Sequence, residues 1–239
     1  MNTHLDPPII KLVDVYKNFG YRSILKGVSF ELFKGTQTLL LGKNGSGKTT
    51  LLKILSGLIH SSKGNVLLSG IPTEKCPNQL RKSIGMISHS NHLYNELSAA
   101  ENLRFFSRLR AVKNHKDKIN KALKETGLMR VSSIAVKTYS SGMLKRLNIA
   151  KLMVYEPEVL LLDEPYTGLD YDSCEFFNRF LTGFKQNGGT ILMISHQIET
   201  CFECCDQILV LKQGKIKDQL KAKDYSCDSL LQKYKSLTV

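Results

Sequence analysis

Gly42-Lys43-Asn44-Gly45-Ser46-Gly47-Lys48-Thr49 fits the phosphate-binding pattern G-x-x-x-x-G-K-[ST]. The residues before it, Thr36–Leu41, read as a short buried strand. Those after it, from Thr50 to Leu55, read as a helix with Leu51, Leu55 and Leu58 on one face. Strand, glycine-rich turn and helix form the context in which this pattern becomes a site. Glycines let backbone N–H groups converge on phosphate oxygens, and the new helix offers its free N–H groups and positive dipole end. Lys48 has the reach for the β- and γ-phosphates, and the Thr49 hydroxyl suits Mg²⁺. Gly42 to Thr50 are therefore the expected phosphate contacts. The competing reading, an ordinary strand–turn–helix corner, explains neither the lysine nor the glycine spacing.

A second element stands far downstream. Val159-Leu160-Leu161-Leu162-Asp163-Glu164-Pro165 reads as a central strand ending in two carboxylates. In α/β sheets ligands bind at that carboxyl edge. Asp163 is expected to orient Mg²⁺, and Glu164 to polarise an attacking water as general base.

Bulk properties agree with an intracellular globular chain. There are 239 residues, 42 % of them hydrophobic, enough for one substantial core. No apolar run approaches the roughly 20 residues a membrane-spanning helix needs. Met1–Pro8 has no basic n-region or apolar h-region, so no signal peptide is expected. Six cysteines fit as free thiols. Cys201, Cys204 and Cys205 form a C-x-x-C-C group, but no second Cys/His pair lies at zinc spacing, and they read as plain cysteines.

The net charge of +13 points to anionic partners. Lys113, Lys116, Lys118, Lys121 and Lys124 read as a solvated helix face. No helix-turn-helix, zinc-finger or aromatic RNA-binding signature accompanies the charge, so direct nucleic-acid binding is not expected. An anionic membrane surface is the favoured partner.

Strand patterns fall near 9–14, 27–32, 36–41, 65–69, 84–88, 158–163, 190–194 and 207–212. Helical patterns fall near 48–57, 98–110, 115–127, 141–154, 172–187 and 197–204. The alternation predicts an α/β fold: a phosphate-loop core with a mostly parallel sheet, an antiparallel edge sheet and an inserted helical subdomain. The core is expected over about 9–89 and 156–220, the helical insert over about 90–155, and a peripheral tail over about 221–239.

Three further motifs complete a family resemblance. Tyr139-Ser140-Ser141-Gly142-Met143, leading into Leu144–Ala150, is similar to the signature segment of ATP-binding-cassette ATPases. Thr167-Gly168-Leu169-Asp170 resembles their D-loop, and His196, closing the strand Thr190–Ile194, their switch histidine. With the phosphate loop and the acidic strand, five elements stand in the family's order between residues 42 and 196. The resemblance covers about 9–220. It implies ATP and Mg²⁺ as ligands, with Phe19 stacking on adenine, a contact worth roughly 1–3 kcal/mol per base. It implies that Ser140 and Gly142 act in trans on the partner's nucleotide, with Asp170 nearby, so that two ATP molecules lie between two head-to-tail cassettes. His196 would contact the γ-phosphate and the attacking water.

Two positions depart from the family pattern. The glutamine slot after Ile84–Ile87 holds His89, a poor ligand for hard Mg²⁺ whose contact would run through water. Ser141 replaces a glycine and Met143 a glutamine, and the serine adds a Cβ where backbone approaches phosphate. Turnover is expected to persist at a lower rate.

A single cassette without coiled coils or a duplicate implies the ATPase subunit of a transporter, paired with integral membrane permease subunits and peripheral to the cytoplasmic face of the membrane. His92–Ser98, leading into Glu101–Leu109, together with the signature, looks like the heme-export ATPase of bacterial cytochrome c maturation. The same features occur in multidrug and lipid-type exporters.

Overall fold

The computed structural model describes residues 7–88, 92–196 and 198–238. Strands β1 (Ile10–Phe19) and β2 (Arg22–Leu32) form an antiparallel hairpin. Strand β3 (Gln37–Leu41) leads through the glycine loop into α1 (Lys48–Leu55). Then follow β4 (Lys63–Leu68), β5 (Ile71–Pro72), α2 (Pro77–Ser83) and β6 (Ile84–Ile87). The helical insert holds α3 (Ala99–Leu109), α4 (His115–Glu125) and α5 (Ser141–Tyr155). The chain closes with β7 (Val159–Asp163), α6 (Tyr171–Gln186), β8 (Thr190–Ile194), α7 (Ile198–Phe202), β9 (Gln207–Lys212), β10 (Lys215–Lys221) and α8 (Cys227–Thr238).

Two sheets result. The central one has the order β10-β9-β3-β8-β7-β6, parallel throughout except for antiparallel β10. The second, β2-β1-β4-β5, is antiparallel. The central strands are near-continuous apolar runs because both their faces are covered. Successive side chains alternate faces, and this sorts them into two cores. Leu40, Leu161, Leu192 and Leu209 pack with α1 and the antiparallel sheet. Leu39, Leu41, Leu160, Leu162 and Met193 pack with α6 and α8 on the other face.

Helix α3 begins at Ser98 because a capping box fixes it there. The Ser98 hydroxyl accepts from the Glu101 amide, and the Glu101 carboxylate accepts from the Ser98 amide. Helix α5 is apolar on two sides. Leu147, Ala150 and Val154 join a third core within the insert, whereas Ile149 and Leu152 join the core under the sheet. The insert is thus welded to the nucleotide core along α5.

The expected strands and helices are present, and among the described residues four further strands and α-helices appear: β5, α2, β10 and α8. Strand β10 carries lysines at 215, 217 and 221, the usual charging of an exposed sheet edge, which disguised it as a polar loop. The tail is not peripheral in its packing. Leu230 of α8 is fully buried in the core under the sheet, with Leu231 and Tyr234 beside it. Leu230→Ala is expected to lower unfolding stability by about 2–5 kcal/mol. Urea unfolding midpoints at constant slope measure the loss, and a loss below half a kcal/mol would mean α8 contributes nothing.

Candidate functional site

The glycine loop joins the C-terminal end of β3 to the N-terminus of α1. Gly47, with φ at 109°, stands immediately before the helix in a backbone conformation that side chains resist. A Cβ there would lie 2.8 Å from Leu25 Cδ2. At Gly42 a Cβ would lie 2.4 Å from the Leu211 carbonyl oxygen and 2.6 Å from Ser46 Oγ. The loop is therefore shaped by neighbours on β2 and β9 as well as by its own residues.

Lys48 is buried at the start of α1, and its Nζ donates to the carbonyls of Gly42, at 2.6 Å, and Lys43, at 3.3 Å. Burial pushes its pKa below the ordinary lysine value, while the Glu164 and Asp163 carboxylates oppose the shift. The next residue reaches across the site: Thr49 Oγ1 donates to Asp163 Oδ2 at 3.0 Å.

Glu164 follows the end of β7 with φ at 50°, a left-handed conformation that costs a non-glycine residue energy. Its amide donates to the Ile194 carbonyl at 3.0 Å. Glu164 Oε2 accepts from the His196 amide at 3.2 Å, and His196 Nε2 lies 3.3 Å from Glu164 Oε1. That second approach is an ion-pair distance without hydrogen-bond alignment, so Oε1 remains buried and unpartnered.

Among the described residues, the buried side-chain oxygens or nitrogens without a hydrogen-bond partner are Ser46 Oγ and Glu164 Oε1. Both belong to this site. Orphaned buried polar atoms are rare in native folds, and Glu164 Oε1 belongs to a residue of the cavity wall, where a water beside a bound polyphosphate would supply its donor. The glycine cradle, the Lys48 ammonium and the Thr49–Asp163 oxygen pair suit a Mg²⁺-bound triphosphate: hard oxygen donors for the cation, N–H donors for the anion.

A cavity of about 340 Å³ opens here, walled by Asn44, Gly45, Gly47, Lys48, Thr49, Thr50, Asp163, Glu164, Ile194 and His196. Arg22 and Ile24 complete the wall, and neither was expected from the sequence. The signal was out of reach: the hairpin register sets Arg22 opposite Phe19, and register is a tertiary fact. Phe19 is half exposed at the end of β1, with Lys17 Nζ 4.9 Å from its ring centroid. Tyr16 instead packs over Gly27, where a Cβ would lie 2.9 Å from the tyrosine oxygen, and Tyr21 is fully exposed.

The signature residues are not in this cavity wall. Ser140 caps α5, its hydroxyl accepting from the Met143 amide at 3.2 Å. Gly142 packs on α6, where a Cβ would sit 3.0 Å from Ser173 Oγ. Asp170 caps α6 by accepting from the Ser173 amide at 2.9 Å, and these Ser173 bonds hold its carboxyl below the usual range. Phosphate loop, carboxylates and histidine thus meet within one chain, whereas Ser140, Gly142 and Asp170 lie outside that meeting point. His89 lies outside the described residues.

The cysteine group is packed among neighbours. Cys201 is buried, Cys204 exposed, and Cys205 Sγ donates to the Cys201 carbonyl at 2.9 Å. Burial pushes Cys201 up to about 11 and Cys205 up to about 12, away from thiolate chemistry.

The chain matches the family model described as ABC transporter over residues 25–167. It is 33 % identical over 195 residues to the ABC transporter ATP-binding protein NatA of Bacillus subtilis, covering 80 % of this chain and 79 % of that protein. It is 31 % identical to the linearmycin resistance ATP-binding protein LnrL of the same species, over 87 % of this chain and 68 % of that one. The lantibiotic transport ATP-binding protein SrtF of Streptococcus pyogenes is 34 % identical, with 87 % and 89 % covered. An ATP-binding subunit of an ABC transporter superposes with a TM-score of 0.88 at 25 % identity, covering 96 % of this chain and 99 % of that one. The dimeric cassette MJ0796 in a post-hydrolysis state, bound to ADP and Pi, superposes with a TM-score of 0.80 at 25 % identity, over 89 % and 98 % of the two chains. None of these relatives is named for heme export.

Proposed function

The chain belongs to the ABC transporter family as an ATP-binding, ATP-hydrolysing cassette, and on that premise we propose how its own residues divide the work. Lys48 and the glycine-loop amides hold the β- and γ-phosphates, and Phe19 stacks on the adenine. Thr49 and Asp163 would hold Mg²⁺, which when bound would neutralise charge on the phosphate oxygens. Glu164, aimed by its left-handed backbone and by the His196 amide, takes the proton of the attacking water. His196 orients that water and reports the γ-phosphate. The observation that carries this reading is the convergence of Lys48, Thr49, Asp163 and Glu164, the last with a buried Oε1 that lacks a hydrogen-bond partner, on one cavity.

Ser140, Gly142 and Asp170 complete the site of a second copy. Their position outside the chain's own cavity wall supports this. Two bound ATP molecules then close a head-to-tail dimer by contacts made only in the closed state, and hydrolysis releases it. Among the described residues no helix is long and apolar enough to cross a membrane. We assign the transport path to separate membrane subunits, with this chain peripheral to them on the cytoplasmic face.

For cargo, the stretch 92–109 resembles a heme-export ATPase, but two of the similar relatives, LnrL and SrtF, are named for linearmycin resistance and lantibiotic transport. Export of antibiotic-type molecules is the class we adopt. Pull-down of the full chain from detergent-solubilised membranes is expected to recover integral membrane permeases. Recovery of a cytochrome c maturation apparatus would restore the heme reading. Salt-sensitive, tight DNA binding without a membrane partner would replace both with a nucleic-acid ATPase.

A further inference from the structure

Ser141 stands where the family's pattern has glycine, and its hydroxyl is engaged. Ser141 Oγ donates to the Gly168 carbonyl at 3.2 Å. A glycine has no atom to make this bond. It links the first residue of α5 to the loop that runs from Glu164 to Asp170. Two more contacts continue the seam: Gly142 against Ser173, and the Arg146 guanidinium 5.4 Å from the Phe176 ring centroid. Ser173 is itself buried and donates its amide to Asp170.

At its other end the loop is tied to the core, the Glu164 amide donating to the Ile194 carbonyl at 3.0 Å. The Glu164 carbonyl accepts from the Thr167 amide at 3.3 Å, and the Tyr166 carbonyl from the Leu169 amide at 3.2 Å. The loop between Glu164 and Asp170 is thus closed by its own turn bonds, and Ser141 is bonded to it at Gly168.

We propose that Ser141 is a positioning residue that locks the signature end of α5 to the loop 164–170. The insert and the loop then present their groups to the second copy's nucleotide as one body. The inference rests on the composite-site reading above. Its consequence is directional: the bond fixes the orientation of the signature end of α5 against the loop, and orientation governs the rate.

The test compares the full-length protein with Ser141→Ala, Ser141→Thr and Ser141→Gly. In steady-state turnover with Mg²⁺-ATP, alanine and glycine are expected to lower kcat about two- to tenfold, the size of one lost hydrogen bond. KM for ATP is expected to stay within about twofold, because ATP first binds the phosphate-loop cavity, which Ser141 does not line, and the signature end acts on it only when the two copies close. Threonine, which keeps the hydroxyl, is expected to restore the rate. In nucleotide-free protein, amide exchange across 167–170 is expected to quicken in Ser141→Ala and not in Ser141→Thr.

Unchanged turnover and exchange in Ser141→Ala would overturn the proposal. So would a glycine variant faster than the parent, which would mean that Cβ crowding alone governs the position. Turnover of the parent protein at the level of buffer would overturn the ATPase reading instead, and the exchange measurement would still decide the role of Ser141.

Discussion

Glu164→Gln is expected to lower kcat by about 10²–10⁴-fold, the range removed with a general base. The substitution keeps the side-chain shape, and the amide oxygen can still accept from the His196 amide, now 3.2 Å from Glu164 Oε2. What disappears is the basic oxygen. In the parent, Oε1 is buried, has no hydrogen-bond partner and lies within 3.3 Å of His196 Nε2. An unsatisfied carboxylate oxygen in a nucleotide cavity is poised to accept a proton from water, whereas an amide is not. ATP binding should survive, and a closed dimer should accumulate because the γ-phosphate is never removed. Size-exclusion chromatography with Mg²⁺-ATP reads the dimer, and phosphate release reads the rate. Parent-like turnover in the variant would reassign the base.

Lys48→Ala is expected to weaken ATP binding by about a hundredfold, since hydrogen bonds to a charged group contribute about 1.5–3 kcal/mol. The fold should tolerate the change. Among the described residues, Lys48 bonds to the loop carbonyls of Gly42 and Lys43, and burial disfavours its charged form. Removing the ammonium relieves that desolvation while giving up those bonds, so the two effects offset. The melting temperature without nucleotide is expected to move little. The rise in melting temperature that ATP produces in the parent, a mass-action effect of binding the folded state, should vanish at the same ATP concentration. An undiminished rise would remove Lys48 from the phosphate site.

The parts of the site legible in the sequence were those carried by contiguous residues. Gly42–Thr49 needed only the strand before it and the helix after it. Asp163 and Glu164 announced themselves by ending a run of four buried aliphatic residues, Val159 to Leu162. Both segments are ruled by backbone rules acting over a few residues, and both are found at the carboxyl edge of the central sheet. Arg22 and Ile24 escaped notice because they reach the cavity through a hairpin whose register includes bulges. A one-residue shift in such a pairing turns every side chain to the other face. Helix α8 escaped notice because its composition is polar, and only Leu230 and its neighbours meet the core.

The amino-acid sequence by itself determined the chemistry available to this protein: a phosphate-binding loop, two carboxylates, a histidine, and the order in which a cassette of the ABC transporter family carries them. Short-range periodicity and turn chemistry suffice for that, since each motif is held by its own strand or helix. The tertiary structure decided which of those groups share a cavity. Parallel crossovers bring residues 48, 163 and 196 to neighbouring strand ends, whereas Ser140 and Gly142, at the start of α5, do not line that cavity. It also decided that Ser141, a mere departure from pattern in the sequence, has a partner in Gly168, 27 residues away. Contacts across that separation depend on how helices pack, and no local rule encodes them.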